Sequence, residues 1–206
     1  SDVYKRQGGG DFGVVSFNAG GAVTITDPNT VTIRNATNTG TGAVTITATN
    51  GALNLDSGIT LNGTGLVTLN AQGANGTITD TASGVFVYGG ITLNSSNGIS
   101  ITKAGHSFGA VTLNSGVGGA ATNADINFVE SGTLKLANVS ATNSATASAS
   151  VALSSTTGAI IQSGGAIAVT GVAAATQSAS FSAAQGVVIE ARVDNSRGAV
   201  LSLIHI

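Results

Sequence analysis

The chain has 206 residues, 42% of them hydrophobic and 8% charged, with seven Lys and Arg against nine Asp and Glu and a formal net charge of −2. A typical globular domain is about 25% charged, so this surface must be wetted by Thr, Asn, Ser and Gly rather than by ions. Composition excludes a polycationic face for nucleic acid or anionic lipid and, with no cysteine, a disulfide framework or thiolate metal centre; no run reaches the roughly 18 apolar residues of a membrane-spanning helix.

Ser1–Gln7 holds two of the basic residues, Lys5 and Arg6, and lacks the apolar stretch of a signal peptide. Both this segment and residues 201–206 break the style of everything between them. They read as non-native flanks, which makes residues 8–200 a repeat region internal to a longer protein.

From Val23 onward a four-residue phrase recurs: Val23-Thr24-Ile25-Thr26, Val44-Thr45-Ile46-Thr47, Val67-Thr68-Leu69-Asn70 and Val111-Thr112-Leu113-Asn114. Ile59-Thr60-Leu61-Asn62 and Ile91-Thr92-Leu93-Asn94 are variants with Ile in front. Counted through Val23, Val44, Val67, Val87 and Val111, the steps are 21, 23, 20 and 24. A period of this size marks a repeat architecture.

Between the phrases, short runs alternate apolar and polar residues with the period of a half-buried strand. Val31-Thr32-Ile33, Leu53-Asn54-Leu55, Thr77-Ile78-Thr79, Val85-Phe86-Val87, Ile99-Ser100-Ile101, Ile126-Asn127-Phe128 and Leu134-Lys135-Leu136 are such runs. Further along come Val151-Ala152-Leu153, Ile160-Ile161, Ile167-Ala168-Val169 and Val187-Val188-Ile189. Asn50-Gly51, Asn62-Gly63, Asn75-Gly76, Asn97-Gly98 and Gly89-Gly90 punctuate them as sharp corners, read as sites of positive φ. From Ala137 to Ala184 the style shifts toward Ala and Ser. Ala173-Ala174-Ala175 has helical propensity, but Ser180-Phe181-Ser182 resumes alternation, so thin strands are expected there.

A β-sandwich or a meander of hairpins would not return the same phrase at so regular a step. A right-handed parallel β-helix (β-solenoid) of about 20–24 residues per coil does, because stacked coils place like on like about 4.8 Å apart. Its interior would hold Val, Ile and Leu with no charge to desolvate, each contributing about 1.5–3 kcal/mol. Thr and Asn ladders would hydrogen-bond along the rod. Asp11-Phe12-Gly13-Val14-Val15 is echoed by Ser107-Phe108-Gly109-Ala110-Val111, and the aromatic before Gly reads as a ring capping a corner.

The phrases Gly42-Ala43-Val44-Thr45-Ile46, Gly76-Thr77-Ile78-Thr79-Asp80, Gly109-Ala110-Val111-Thr112-Leu113-Asn114 and Ala159-Ile160-Ile161-Gln162 through Gly171 resemble repeats of filamentous-haemagglutinin-type exoproteins. The resemblance is compositional and rhythmic. It implies a right-handed β-helix, a secreted or cell-surface location, two-partner secretion through an outer-membrane partner for the full-length protein, and adhesion to host cells or glycans. Asp27-Pro28-Asn29-Thr30 only faintly echoes the Asn-Pro signature of that family's secretion domain, so the segment is read as shaft.

No enzyme is expected. A glycan-cleaving β-helix needs paired carboxylates on one face, whereas Asp11, Asp27, Asp56, Asp80, Asp125, Glu130, Glu190 and Asp194 are scattered. Asp125 with Glu130 and Glu190 with Asp194 read as solvated loop charges. His106 is the one histidine outside the tail, too few for a triad or a His-based metal site. No catalytic, cofactor-binding or metal residues are assigned, and no cofactor, nucleic-acid partner or membrane insertion is expected. Asn-X-Ser/Thr triplets begin at Asn35, Asn62, Asn75, Asn94 and Asn138; in so Asn- and Thr-rich a chain most are chance. An ice-binding Thr-X-Thr array is also weighed, but its second Thr column gives way to Asn70 and Asn114. The remaining alternative is a structural surface or biofilm-matrix segment with no ligand of its own.

Overall fold

A computed structural model describes residues 5–6, 11–81, 87–103, 105–118, 121–144, 149–162, 165–171, 177–189, 193–195 and 200–205. Among the described residues there is no helix. All strand pairs are parallel, and they form two eleven-stranded sheets. The expected β-solenoid is the fold.

The first sheet runs Lys5–Arg6, Val23–Asp27, Val44–Ala48, Val67–Ala71, Ile91–Ser95, Ala110–Ser115, Leu134–Thr142, Ile160–Gln162 and Val187–Ile189. Ile167–Thr170 pairs with Leu134–Thr142, and Val193–Asn195 with Ile167–Thr170. The second sheet carries, among others, Val31–Asn38, Leu53–Leu55, Ile78–Asp80, Ile99–Ile101, Ile126–Glu130, Ser150–Ser155, Ser178–Ala183 and Val200–His205. The chain passes back and forth between the two sheets, so each coil contributes to both; in places two successive strands share a sheet, as Leu53–Leu55 and Thr60–Leu61 do in the second and Ile160–Gln162 and Ile167–Thr170 in the first. Lys5–Arg6 and residues 201–205, from the two flanks, pair with Thr24–Ile25 and Ala179–Ala183.

Register places like on like, as the repeat requires. Val23, Val44, Val67, Ile91 and Val111 form one inward column. Ile46, Leu69, Leu93, Leu113, Val139 and Ile167 form the next. Val31, Leu53, Ile78, Ile99, Ile126 and Val151 do the same in the second sheet. These side chains are buried in one continuous core. β-Branched and leucine side chains suit a surface that is both pleated and closed over on its inner face.

Two expectations about this stack are corrected. Val87 does not belong to the Val23 column: it pairs with Thr60 in the second sheet, and Ile91 fills the rung. Ile59-Thr60-Leu61-Asn62 likewise lies off the first sheet, with Thr60 paired to Thr37. Coil length also varies more than the first phrases imply. The step from Val23 to its partner Val44 is much shorter than the step from Val139 to its partner Ile167. The longer coils enclose Phe128 and Phe181, the largest fully buried side chains. At Leu134–Thr142 the register shifts between Val111 and Thr112, leaving Ala137 as a bulge. Val85, Phe86, Ala145–Ser148, Ala173–Ala175 and Glu190 lie outside the described residues.

The corners owe their glycines to a different cause from the one the sequence implies. Of the Asn-Gly pairs, only Gly98 has positive φ, at 127°. At Gly51 and Gly63 one coil's backbone meets the next, whereas a Cβ on Gly76 would meet the Ala71 carbonyl oxygen of its own coil at 2.5 Å. A Cβ on Gly40 would stand 1.9 Å from the Gly20 carbonyl oxygen, one on Gly63 1.9 Å from that of Gly40, and one on Gly109 2.0 Å from that of Gly89. Beside this column, Cβ atoms on Gly42 and Gly65 would each come within 2.1 Å of the coil beneath. Two adjacent glycine columns therefore let the turns leading into the first sheet stack at backbone contact.

Candidate functional site

Three polar constellations stand out. The first is a ladder on the outer face of the first sheet. Asn70 Nδ2 donates to Thr47 Oγ1 at 3.1 Å. Asn94 Nδ2 donates to Asn70 Oδ1 at 2.8 Å, Asn114 Nδ2 to Asn94 Oδ1 at 2.8 Å, and Asn138 Nδ2 to Asn114 Oδ1 at 3.2 Å. The Ala166 amide then donates to Asn138 Oδ1 at 3.2 Å. The amides are half-buried and orient one another along the rod, an arrangement in which each bond polarises the next. Beside it, Thr24, Thr45, Thr68, Thr92 and Thr112 form a second outward column.

The second constellation is a buried corner. The inward alternation of Ile78-Thr79-Asp80 carries Asp80 inside. Its Oδ2 accepts the Thr102 and Lys103 amides at 2.9 and 2.6 Å and lies 3.0 Å from His106 Nε2. One coil on, Glu130 accepts the Phe108 amide at 3.0 Å and the Gly132 amide at 3.1 Å. Burial pushes the Glu130 carboxyl above its ordinary value, an effect that backbone N–H bonds from Gly132, Phe108 and Ser131 oppose. Phe108 packs on Phe128 with ring centroids 4.9 Å apart, and His106 meets Phe108 edge-on at 5.7 Å. The ring before Gly109 does cap a corner.

This corrects the reading of Glu130 as a solvated loop charge and of the interior as free of charge. Asp27, Asp80 and Glu130 are all buried. Asp27 takes the Asn29 amide at 2.7 Å and the Phe12 amide at 2.6 Å. The shared cause is position: each carboxylate ends a strand on its inward side and collects N–H groups from the following turn or from a neighbouring coil, the preceding one for Asp27 and Glu130 and the next one for Asp80. Stacking does bring Asp80 and His106 together, but no substrate reaches a pair with 2% and 0% side-chain exposure. Asp56 pairs with Arg34 at the surface, where an ion pair contributes little.

The third constellation is open to solvent. A cleft of about 230 Å³ on the outer face of the second sheet spans the rungs of Ile78–Asp80, Ile99–Ile101 and Ile126–Glu130. Its polar lining includes Thr77, Asn97, Ser100, Asn123, Asp125 and Asn127. The coil from Ile99 to Ile126 is longer than the one before it, from Ile78 to Ile99. The added length lies in the loop after Ala110–Ser115 and carries Asn123 and Asp125 to the cleft. Gly98 keeps the floor clear, since a Cβ there would meet the Asp125 carbonyl oxygen at 3.3 Å. Asp125 Oδ1 is fixed by the Ser150 amide and hydroxyl, both at 2.8 Å. The Asp125–Glu130 pair thus divides, one carboxylate in the cleft and the other inside.

Of the Asn-X-Ser/Thr triplets, Asn94 and Asn138 commit their amides to the ladder, whereas Asn35, Asn62 and Asn75 are exposed. Asn35 sits at φ 50°, which Asn tolerates. Sequence reasoning missed the cleft, because it depends on which residues of unequal coils come into register. No group of three or more His, Asp or Glu side chains suited to a metal occurs among the described residues. The chain matches no protein-family model, no curated protein and no solved structure.

Proposed function

We propose that this chain is a β-helical shaft segment of a large secreted or surface-exposed bacterial adhesin of filamentous-haemagglutinin type. It acts passively, as a stiff rod that displays and spaces binding surfaces for host cells or glycans. In the full-length protein an outer-membrane partner would export it. The observation that supports this most is the pairing of continuous inward columns with an almost uncharged outer face of Thr and Asn. Such a rod gains stability coil by coil. The proposal assigns it no catalysis. The self-satisfied asparagine ladder favours a second reading, a cell-surface or biofilm-matrix segment with no ligand of its own.

Binding of the purified 206-residue chain to host cells, beside its heat-unfolded form, separates the two. Saturable binding by the folded chain alone supports the adhesin. Absence of binding from a chain with an intact β spectrum supports the matrix segment. Depolymerisation of a polysaccharide would overturn both.

A further inference from the structure

The structure sets two polar surfaces side by side, and they differ in what they leave unspent. On the first sheet, the ladder amides are bonded to one another from Asn138 to Thr47. In the cleft of the second sheet, Thr77, Ser100 and Asn127 make no side-chain hydrogen bond among the described residues. Asn123 uses only its Oδ1, which accepts the Asp125 amide at 2.9 Å, and Asp125 uses only the oxygen turned to Ser150. The cleft therefore offers hydroxyls, amide donors and a carboxylate oxygen along three successive rungs.

We propose that this cleft binds an uncharged, hydroxyl-rich glycan segment lying along the stacking direction; the proposal rests on the adhesin reading and locates its ligand site. A polyol supplies donors and acceptors in alternation, which suits a lining that presents both. Charge narrows the class. Asp125 is the one acidic side chain in the lining, and no Lys or Arg lines it. A sulfated or sialylated glycan would bring anions to a carboxyl group with no cation to offset them, and like charges set side by side are disfavoured. The walls are preformed, since the Ser150 bonds to Asp125 and the Thr122 amide bond to Asn97 Oδ1 at 2.9 Å hold them. Little ordering then remains to offset affinity.

The test uses the full chain on an array holding neutral, sialylated and sulfated glycans, followed by calorimetry with the best neutral oligosaccharide. The variants are Ser100→Ala with Asn127→Ala, both outward-facing and without side-chain bonds in the protein, so folding should persist and is checked by melting. Selective neutral-glycan binding, weakened about tenfold or more in the double variant, supports the proposal; that is the loss expected for one or two hydrogen bonds. Neutral binding unchanged by the double variant overturns the cleft as its site and leaves the adhesin reading standing. Preference for sulfated or sialylated glycans overturns the charge argument. Host-cell binding without binding to any glycan overturns the cleft proposal alone. Failure of both cell and glycan binding overturns it together with the adhesin reading.

Discussion

Gly63→Ala tests whether backbone contact between coils sets the stacking distance. The added Cβ would lie 1.9 Å from the Gly40 carbonyl oxygen and 3.0 Å from its nitrogen. Both obstructing atoms are backbone, so neither can swing away, and two coils must part or the turn must deform. Overpacking of this kind costs about 1–3 kcal/mol. Lower entropy of the unfolded chain returns about 0.4–1 kcal/mol, for a net loss of about 1–2 kcal/mol. For a chain of this length that is a fall in Tm of about 2–8 °C. Gly20→Ala is the matched control, because a Cβ there meets nothing within 4 Å; it should hold or slightly raise Tm. Melting followed by far-UV circular dichroism reads both. Solenoid cooperativity can break down along the array, so amide exchange at Gly63 and Thr64, whose N–H groups bond back to Asn38 and Gly40, adds a local measure. A Gly63→Ala protein as stable as the Gly20→Ala one, with unchanged exchange, would refute the argument.

The other predictions concern the polar constellations. Asn94→Ala removes two ladder bonds at once, to Asn70 and Asn114, and should cost about 1–3 kcal/mol in urea unfolding; loss of under half of that would mean the ladder adds nothing beyond water. Asp80→Ala strips the Thr102 and Lys103 amides and His106 of a shared buried acceptor. It should cost about 3–5 kcal/mol, read by the same assay, with a neutral result counting against a structural role. Glu130 gives a pH signature. Its folded pKa is raised, so the native state binds the proton more tightly than the unfolded chain, and ∂ΔG/∂pH is negative in that window. Its contribution is fully present below the unfolded value of 4.5 and declines as pH rises through the folded pKa. The stability difference between the parent and Glu130→Gln should therefore move against the parent as pH climbs; a difference that is flat or moves the other way would contradict the burial argument.

The strands were legible because alternation and phrase repetition act on the same residues. Val44-Thr45-Ile46 has only one way to place both its Val and its Ile side chain inside, and the coil below already has the matching groove. The assignment failed at Val87 because a strand phrase marks inward and outward faces but not which sheet it joins. With coils as unequal as those closed by the Val23–Val44 and Val139–Ile167 pairs, counting alone cannot separate Val87 from Ile91. The buried carboxylates, in contrast, were within reach. Asp27, Asp80 and Glu130 each stand at the inward parity of Val23-Thr24-Ile25-Thr26-Asp27, Ile78-Thr79-Asp80 and Ile126-Asn127-Phe128-Val129-Glu130. Treating acidic residues as surface by type hid that. The role of Gly40 and Gly63 was not legible, because it depends on the coil beneath. The cleft was equally hidden, since Thr77, Ser100 and Asn127 meet only after three unequal coils are stacked.

The asparagine ladder also bears on how the molecule ages. Hydrolysis of a side-chain amide runs through attack by the next residue's backbone nitrogen, which is easiest in a turn where that residue is glycine. Asn50, Asn62, Asn75 and Asn97 stand before glycine at corners, whereas the ladder residues Asn70, Asn94, Asn114 and Asn138 precede Ala71, Ser95, Ser115 and Val139 within strands. Conversion of a ladder Asn to Asp would remove the bond it donates and, at Asn94, Asn114 and Asn138, set two acceptor oxygens face to face across one rung, while the bond it accepts would remain. The sequence thus keeps its chemically fragile amides at the corners, and the amides that tie one coil to the next in the positions where damage is slowest.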